Sequence, residues 1–263
     1  MTTATTFGME FEVQGISPST AASRLNAAGI ACERPDTTHD TCQNWKAVYD
    51  GSVRNGAEIV SPILTANRLN EAHKVTKVLK ESGAHVDRAT GFHVHIGLNA
   101  FGDESTGVRH LTNFVMNWYA GHHAISALVA PSRLNNRFCR VLNQQYAERQ
   151  ASFTLNNQVG AFNGDRYTSL NLESVRRHGT VEVRLHQGTL NGVKAIAWSQ
   201  LIAGMIDATK IGLNLTDTVG ITPWENQTSV EQCQTLLDAL VSLDCLNAST
   251  GDWLKTRAAR LNG

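Results

Sequence analysis

Four short segments hold the side chains best suited to chemistry: Glu10-x-Glu12, Glu58, His93-x-His95 and Glu182-x-Arg184. In three of them the polar groups alternate with apolar neighbours: Phe7, Met9, Phe11 and Val13 around the first, Phe92, Val94 and Ile96 around the histidines, and Val181, Val183 and Leu185 around the last. Period-two alternation places one set of side chains in a core and the other on the opposite face of a sheet. An ordinary solvated face would carry more Lys, Thr and Ser. Carboxylates two residues apart on a strand lie about 7 Å apart and repel by roughly 2 kcal/mol at an effective dielectric near 20. Gathering four glutamates on such a face therefore calls for a cation. Oxygen-rich sets with a minority of imidazole favour Mg²⁺ or Mn²⁺ over Zn²⁺. Magnesium sites of this kind keep positions open for substrate phosphates, which makes ATP the expected companion. Arg184 is then placed to neutralise a transferring phosphoryl group.

Each segment also has a plainer reading. Glu10-x-Glu12 alone suits an exposed strand face, and Glu182-x-Arg184 suits a surface ion pair worth little. His93-x-His95 alone suits a zinc ligand pair, as in metal-dependent hydrolases or cupins, or two satisfied surface histidines. Asp50-Gly51-Ser52 is most simply a turn. The other histidines, including His122, His123 and His186, read as surface or core fillers. The combination and order of the segments raise the catalytic reading above these.

The elements that must position the segments follow from local signals. The first strand runs through Phe7–Val13. Ser17-Pro18 is an N-cap followed by proline at the first helical turn, and Gly29 stops that helix. Trp45 to Tyr49 and Ala57 to Val60 flank the Asp50 turn as paired strands, and Asp36 to Asn44 is loop-like. Leu69, Ala72, Val75 and Leu79 mark an amphipathic helix over Asn67–Ser82. The spacing from Val108 to Val129 predicts one long helix ending at Pro131. Ser132 to Asp165 reads as a loop-rich lid or a substrate-facing segment. Strands are expected over Arg166–Leu172 and Thr180–Leu185 with a turn at His178-Gly179, then a long helix through Val193–Ala208, with further helices over Val230–Leu243 and Trp253–Leu261. The sum is an α+β fold: a mainly antiparallel sheet with helices on its apolar face and a polar face left open.

At 263 residues the chain is expected to form a single domain with a helical C-terminal portion from about residue 214. Lys plus Arg and Asp plus Glu are 23 each, so bulk charge gives no reason to expect nucleic acid or a membrane surface as partner. The five cysteines form no CxxC pair, which points to a reducing, cytoplasmic setting rather than a disulfide framework. The N-terminus lacks a signal-peptide pattern, and no apolar run reaches spanning length.

Taken in order, Glu10-x-Glu12, Asp50-Gly51-Ser52, Glu58 in GAEIVSP, Gly91-Phe92-His93-Val94-His95, SLNL and Glu182-Val183-Arg184 resemble the signature of the amidoligases. This group lies within the glutamine synthetase and glutamate-cysteine ligase superfamily of carboxylate-amine ligases. The resemblance spans Phe7 to about Met205. It implies the curved sheet of the glutamine synthetase catalytic domain, and a ligase that forms an amide through an acyl phosphate at the expense of ATP. It further implies that Glu10, Glu12, Glu58, His93 and Glu182 bind Mg²⁺, that His95 touches the phosphates, and that Arg184 stabilises the transferring group. Asp50 would deprotonate the amine. Arg166 and Arg137, with Arg133 and Arg140, are similar to basic positions that contact phosphate or carboxylate in such enzymes. Small-molecule or peptide carboxylates and amines are the implied substrates. The chain lacks glutamine synthetase's separate N-terminal domain, so the resemblance gives no support for that enzyme's ring assembly. A guanidino-type phosphotransferase on the same fold, a zinc hydrolase built on His93 and His95, and a nucleotide-binding domain without catalysis are the competing readings.

Overall fold

The structure is a computed structural model that describes residues 5–36, 43–51, 53, 55–155, 166–222 and 229–263. The chain divides into two compact units, one comprising Thr5–Ile96 with His186–Ser199, the other Gly97–Leu185 with Gln200–Gly263.

The first unit is a sheet backed by helices. Its strands are β1 (Thr6–Gln14), β2 (Cys32–Asp36), β3 (Trp45–Val48), β4 (Gly56–Val60), β5 (Leu64–Thr65) and β6 (Phe92–Gly97). The spatial order is β2-β3-β4-β1-β6, with β5 also on β1. Only β2 and β3 run parallel; β1 pairs antiparallel with β4, β5 and β6, as β3 does with β4. Phe7, Met9, Phe11 and Val13 of β1 are buried, together with Ile59, Ala47, Trp45 and Phe92 from the neighbouring strands. Phe11 and Phe92 lie 4.7 Å apart between ring centroids, and Phe11 and Trp45 6.3 Å apart. Against this apolar face packs α1 (Pro18–Ala27), whose N-cap Ser17 accepts from the Thr20 N–H as the sequence predicts. The Trp45 indole reaches over to α2 (Glu71–Glu81), donating to Glu71 Oε2 at 3.0 Å.

Gly56 is a position where only hydrogen fits, because a Cβ there would lie 2.0 Å from the Val13 carbonyl oxygen and 2.5 Å from Val53 Cγ1. The tight turn entering β4 therefore fixes the register that carries Glu58.

The second unit is mostly helical. It holds α3 (Gly107–Ala120), α4 (His122–Ser126), α5 (Pro131–Leu134), α6 (Gln144–Leu155), the strand β7 (Leu170–Asn171), α7 (Glu173–His178) and β8 (Thr180–Val183). It continues with the C-terminal part of α8 (Gly192–Lys210), then α9 (Ser229–Ser242) and α10 (Ala248–Asn262). Buried Asn117 ties α3 to α8, donating to Thr209 Oγ1 and the Leu213 carbonyl at 2.9 Å each and accepting from the Leu215 N–H at 3.0 Å. Trp118 donates to Ser169 Oγ at 3.1 Å.

Several expectations change here. The helix expected to run unbroken to Val129 is interrupted at Gly121, where a side chain would strike Leu215 Cδ1 at 2.7 Å, and α4 begins anew. Within Ser132–Asp165, α5 and α6 replace much of the expected loop, and residues 156–165 lie outside the described residues. The strand expected over Arg166–Leu172 contracts to Leu170–Asn171. The turn at His178-Gly179 is the end of a six-residue helix, α7, closed by Gly179 in the left-handed region at φ 64°. Ser52 of the DGS motif and residues 37–42 of the expected loop also lie outside the described residues.

Candidate active site

In the sheet unit, strand register orders the polar face into rows. Val60 of β4 pairs with Lys46 of β3 on one side and Glu10 of β1 on the other, and Glu10 pairs in turn with His93 of β6. One step along, Glu58 pairs with Val48 on β3 and with Glu12 on β1. Gly8 faces His95 in the next row, and a Cβ on Gly8 would come within 3.2 Å of His95 Cβ. Five of the predicted residues thus meet on one surface: Glu10, Glu12, Glu58, His93 and His95.

Four of them are buried, with Glu12 6% exposed, Glu58 3%, His93 3% and His95 8%, while Glu10 is half-buried. His93 Nδ1 lies 3.2 Å from Glu10 Oε2, and its Nε2 lies 3.6 Å from Glu12 Oε1. His95 Nε2 is 3.1 Å from Glu10 Oε1. Glu12 is anchored by its other oxygen, which accepts the Gly91 N–H at 2.5 Å. The glycine of GFHVH thus aims a carboxylate contributed by a distant strand.

The electrostatics of this face are unbalanced in one place. Burial raises the proton affinity of Glu10, but His95 and His93 outweigh it and hold the carboxyl well below its ordinary range. At Glu58 burial and neighbours act together. Desolvation first, then the charges of Glu10, Asp50 and Glu12, push its carboxyl well above that range. Asp50, half-buried just beyond β3, belongs to this cluster through its charge on Glu58. Glu12, Glu58 and His93 each present a ligand atom, all within 4.8 Å of one another. Two carboxylates and an imidazole at that spacing fit a divalent ion, which would offset the negative charge that Glu10, Asp50 and Glu12 place around Glu58.

In the helical unit, Glu182 and Arg184 form a second polar group. Glu182 is 5% exposed and accepts from the guanidinium of Arg184, the residue just past the end of β8. Its other oxygen accepts Asn171 Nδ2 at 2.6 Å, and Asn171 is its cross-strand partner on β7. Arg184 also donates to the Phe138 carbonyl at 3.3 Å. The SLNL motif therefore supplies Asn171 as the orienting group for Glu182, a role that composition gives no means of reading.

Arg133 departs from expectation. It is 3% exposed and donates to the carbonyls of Leu185 at 3.2 Å and Arg184 at 2.7 Å, clamping the backbone behind the Glu182-x-Arg184 pair. Arg137 and Arg166 are exposed and each lies over the ring that follows it, Phe138 at 4.6 Å and Tyr167 at 5.0 Å. Arg140 is exposed, with its backbone N–H donating to the Tyr167 carbonyl at 2.9 Å and its carbonyl accepting the Ser169 N–H at 2.8 Å. Lys46 has no counterpart in the sequence reading: it is 3% exposed and sits in the row of Glu10 and His93, where strand alternation alone marks it as an ordinary surface lysine. His186 is core, 1% exposed, edge-on to Phe92 and tilted against Trp198.

The family model described as "Putative amidoligase enzyme" matches residues 3–206. The chain belongs to this family. The matched span takes in every strand among the described residues of this amidoligase-family chain and all of the acidic and imidazole residues above. No curated protein sequence matches it. Among solved structures it is similar to the ligase PafA in complex with the prokaryotic ubiquitin-like protein Pup, at 8% identity and a TM-score of 0.48. That alignment covers 98% of this chain and 63% of the PafA chain. No helix among the described residues is long and apolar enough to cross a membrane, and Cys32, Cys139, Cys233 and Cys245 are free thiols.

Proposed function

We propose that the chain is an ATP-dependent carboxylate-amine ligase that works through an acyl phosphate, with Mg²⁺ or Mn²⁺ held by Glu12, Glu58 and His93. The observation that carries this reading is the buried Glu12, Glu58 and His93 cluster, with Glu58 held against three neighbouring carboxylates. A divalent ion there would draw charge from the phosphate oxygens of ATP and so ease phosphoryl transfer. Glu10 orients both histidines, and His95 is the proposed contact to the phosphates. Glu182 is proposed as a further metal ligand.

A carboxylate is a poor electrophile, so its oxygen first attacks the γ-phosphorus of ATP and ADP leaves. Arg184 offsets the charge on the transferring group. The amine nitrogen then attacks the acyl carbon, phosphate departs, and Asp50 takes the proton that the nitrogen must lose. Arg137 and Arg166 are exposed cations available to the anionic substrates. Water must be excluded during the acyl phosphate's lifetime, because hydrolysis would waste ATP. A cytoplasmic setting, where ATP and Mg²⁺ are abundant, accords with the free thiols.

The test supplies hydroxylamine as a surrogate amine with pooled carboxylic acids and Mg-ATP, and seeks hydroxamates by mass spectrometry. An ¹⁸O-labelled carboxylate that passes one label to inorganic phosphate would establish the acyl phosphate. ADP release with a stable phosphorylated product and no amide would move the assignment to a phosphotransferase, and ATP-independent hydrolysis with zinc would move it to a hydrolase.

A further inference from the structure

The helical unit contains a cavity of about 220 Å³ that the ligase chemistry does not use. Its lining combines the polar Tyr119, His122 and His123 with the apolar Leu134, Val141 and Leu142, and Ser126, Ser229 and Asn262 also border it. No Asp, Glu, Lys or Arg lines it among the described residues. Leu134 and Val141 are 39% and 40% exposed, so the apolar wall reaches solvent.

His122 is the unusual member. It is 8% exposed at the start of α4, and among the described residues its Nδ1 has no hydrogen-bond partner. Burial, and then the neighbouring His123, push its imidazole down to about 4, so the ring is neutral near pH 7. A buried polar atom left without a partner costs about 1–3 kcal/mol, and a ligand that completes the bond recovers that cost.

These features define an occupant. A net charge on the ligand would find no acidic or basic side chain among the described lining residues, which suits a neutral occupant. The volume exceeds the roughly 150 Å³ of an apolar cavity known to admit benzene, so a single ring with a substituent fits. The ring needs one group able to hydrogen-bond to an imidazole nitrogen. We propose that this cavity is a binding site for a neutral phenol-class ring, presented either by a free small molecule or by a tyrosine side chain.

Its position gives the site a consequence, which rests on the ligase reading. Leu134 ends α5, the helix that carries the Arg133 clamp. Val141 and Leu142 follow the loop whose Phe138 carbonyl accepts the Arg184 guanidinium. An occupant touching both ends of this segment would hold the backbone that orients Arg184.

Binding is measured apart from turnover, by ¹³Cε1-histidine NMR on the whole chain titrated with phenol, N-acetyltyrosinamide and benzene. The expected result is a saturable shift of the His122 and His123 signals with millimolar affinity for phenol or the tyrosine amide, the tighter of the two naming the source. Ser126→Trp, which fills the cavity, should abolish the shift. His122→Phe keeps the ring volume and should weaken phenol about tenfold while leaving benzene unchanged. No saturable shift by about 20 mM, an unaltered titration in Ser126→Trp, or equal phenol affinity in His122→Phe would each overturn the proposal. Because none of these readouts involves ATP, failure of the ligase assignment would leave them intact.

Discussion

Replacing Glu58 with Gln should make the metal-free protein more stable while removing its response to magnesium. Glu58 and Glu12 are direct cross-strand partners, an arrangement in which like charges destabilise. At about 6 Å and an effective dielectric near 20, two carboxylates repel by roughly 3 kcal/mol. Glu10 and Asp50 add to that repulsion. Glutamine keeps the shape and removes the charge. A gain of about 2–3 kcal/mol corresponds to a rise in Tm of about 4–12 °C for a chain of this size. The pH dependence carries the same signature. Because the Glu58 carboxyl is raised above its ordinary value of 4.5 in the folded protein, the folded state holds a proton that the unfolded chain has released. Stability of the metal-free wild type should then fall as pH climbs from about 4.5 towards the raised value, and the variant should lack that decline. Thermal unfolding in EDTA and in Mg²⁺ from pH 5 to 8 tests both parts. A metal-free variant less stable than wild type at pH 8, or one that magnesium still stabilises as strongly as wild type, would refute the reasoning.

Other outcomes follow from the same geometry. Because the Glu58 carboxyl is raised above its ordinary range, magnesium binding should release protons at any pH where Glu58 is still protonated, and there the apparent binding heat in calorimetry should vary with the ionisation enthalpy of the buffer. Arg184→Ala should lower turnover by about 10²–10³ while leaving metal affinity nearly unchanged, and parallel loss of both would argue against a role in phosphoryl transfer. Arg133→Met should cost about 2–4 kcal/mol of stability through its two buried hydrogen bonds, seen as a lower denaturant midpoint. Gly8→Ala should displace His95 and reduce ATP turnover with little change in Tm, because among the described residues its Cβ meets only that side chain. His122, at about 4 in the fold against 6.5 when unfolded, should withdraw roughly 3 kcal/mol of stability as pH falls from 6.5 to 4. His122→Asn should flatten that limb of the stability profile.

What could be read from the residues alone divides along physical lines. β1 was plain because its alternation is strict and one face is fully buried, and α1 was plain because Ser17, Pro18 and Gly29 punctuate it. The acids and imidazoles stood out because an ordinary solvated strand face carries more Lys, Thr and Ser. Their pairing was not, since opposing Glu12 to Glu58 depends on register, which the turn at Gly56 sets in three dimensions. The break at Gly121 escaped notice because apolar spacing continues across it, and only the packing of Leu215 shows why the helix restarts. The short helix α7 lies below the length at which a period can be recognised. Arg133 illustrates a further limit: an arginine bound to backbone carbonyls and one bound to phosphate look alike in sequence. Lys46 shows the converse, a lysine among carboxylates that alternation would assign to solvent.

The strand β1 has a neighbour on either side and divides its own residues between the two faces of the sheet. Insertion or deletion of a single amino acid within it would turn the acids inward and the phenylalanines outward in one step. Change in what such a catalyst accepts must therefore come from the edges and connections around this strand, while the strand itself tolerates exchange only at constant length.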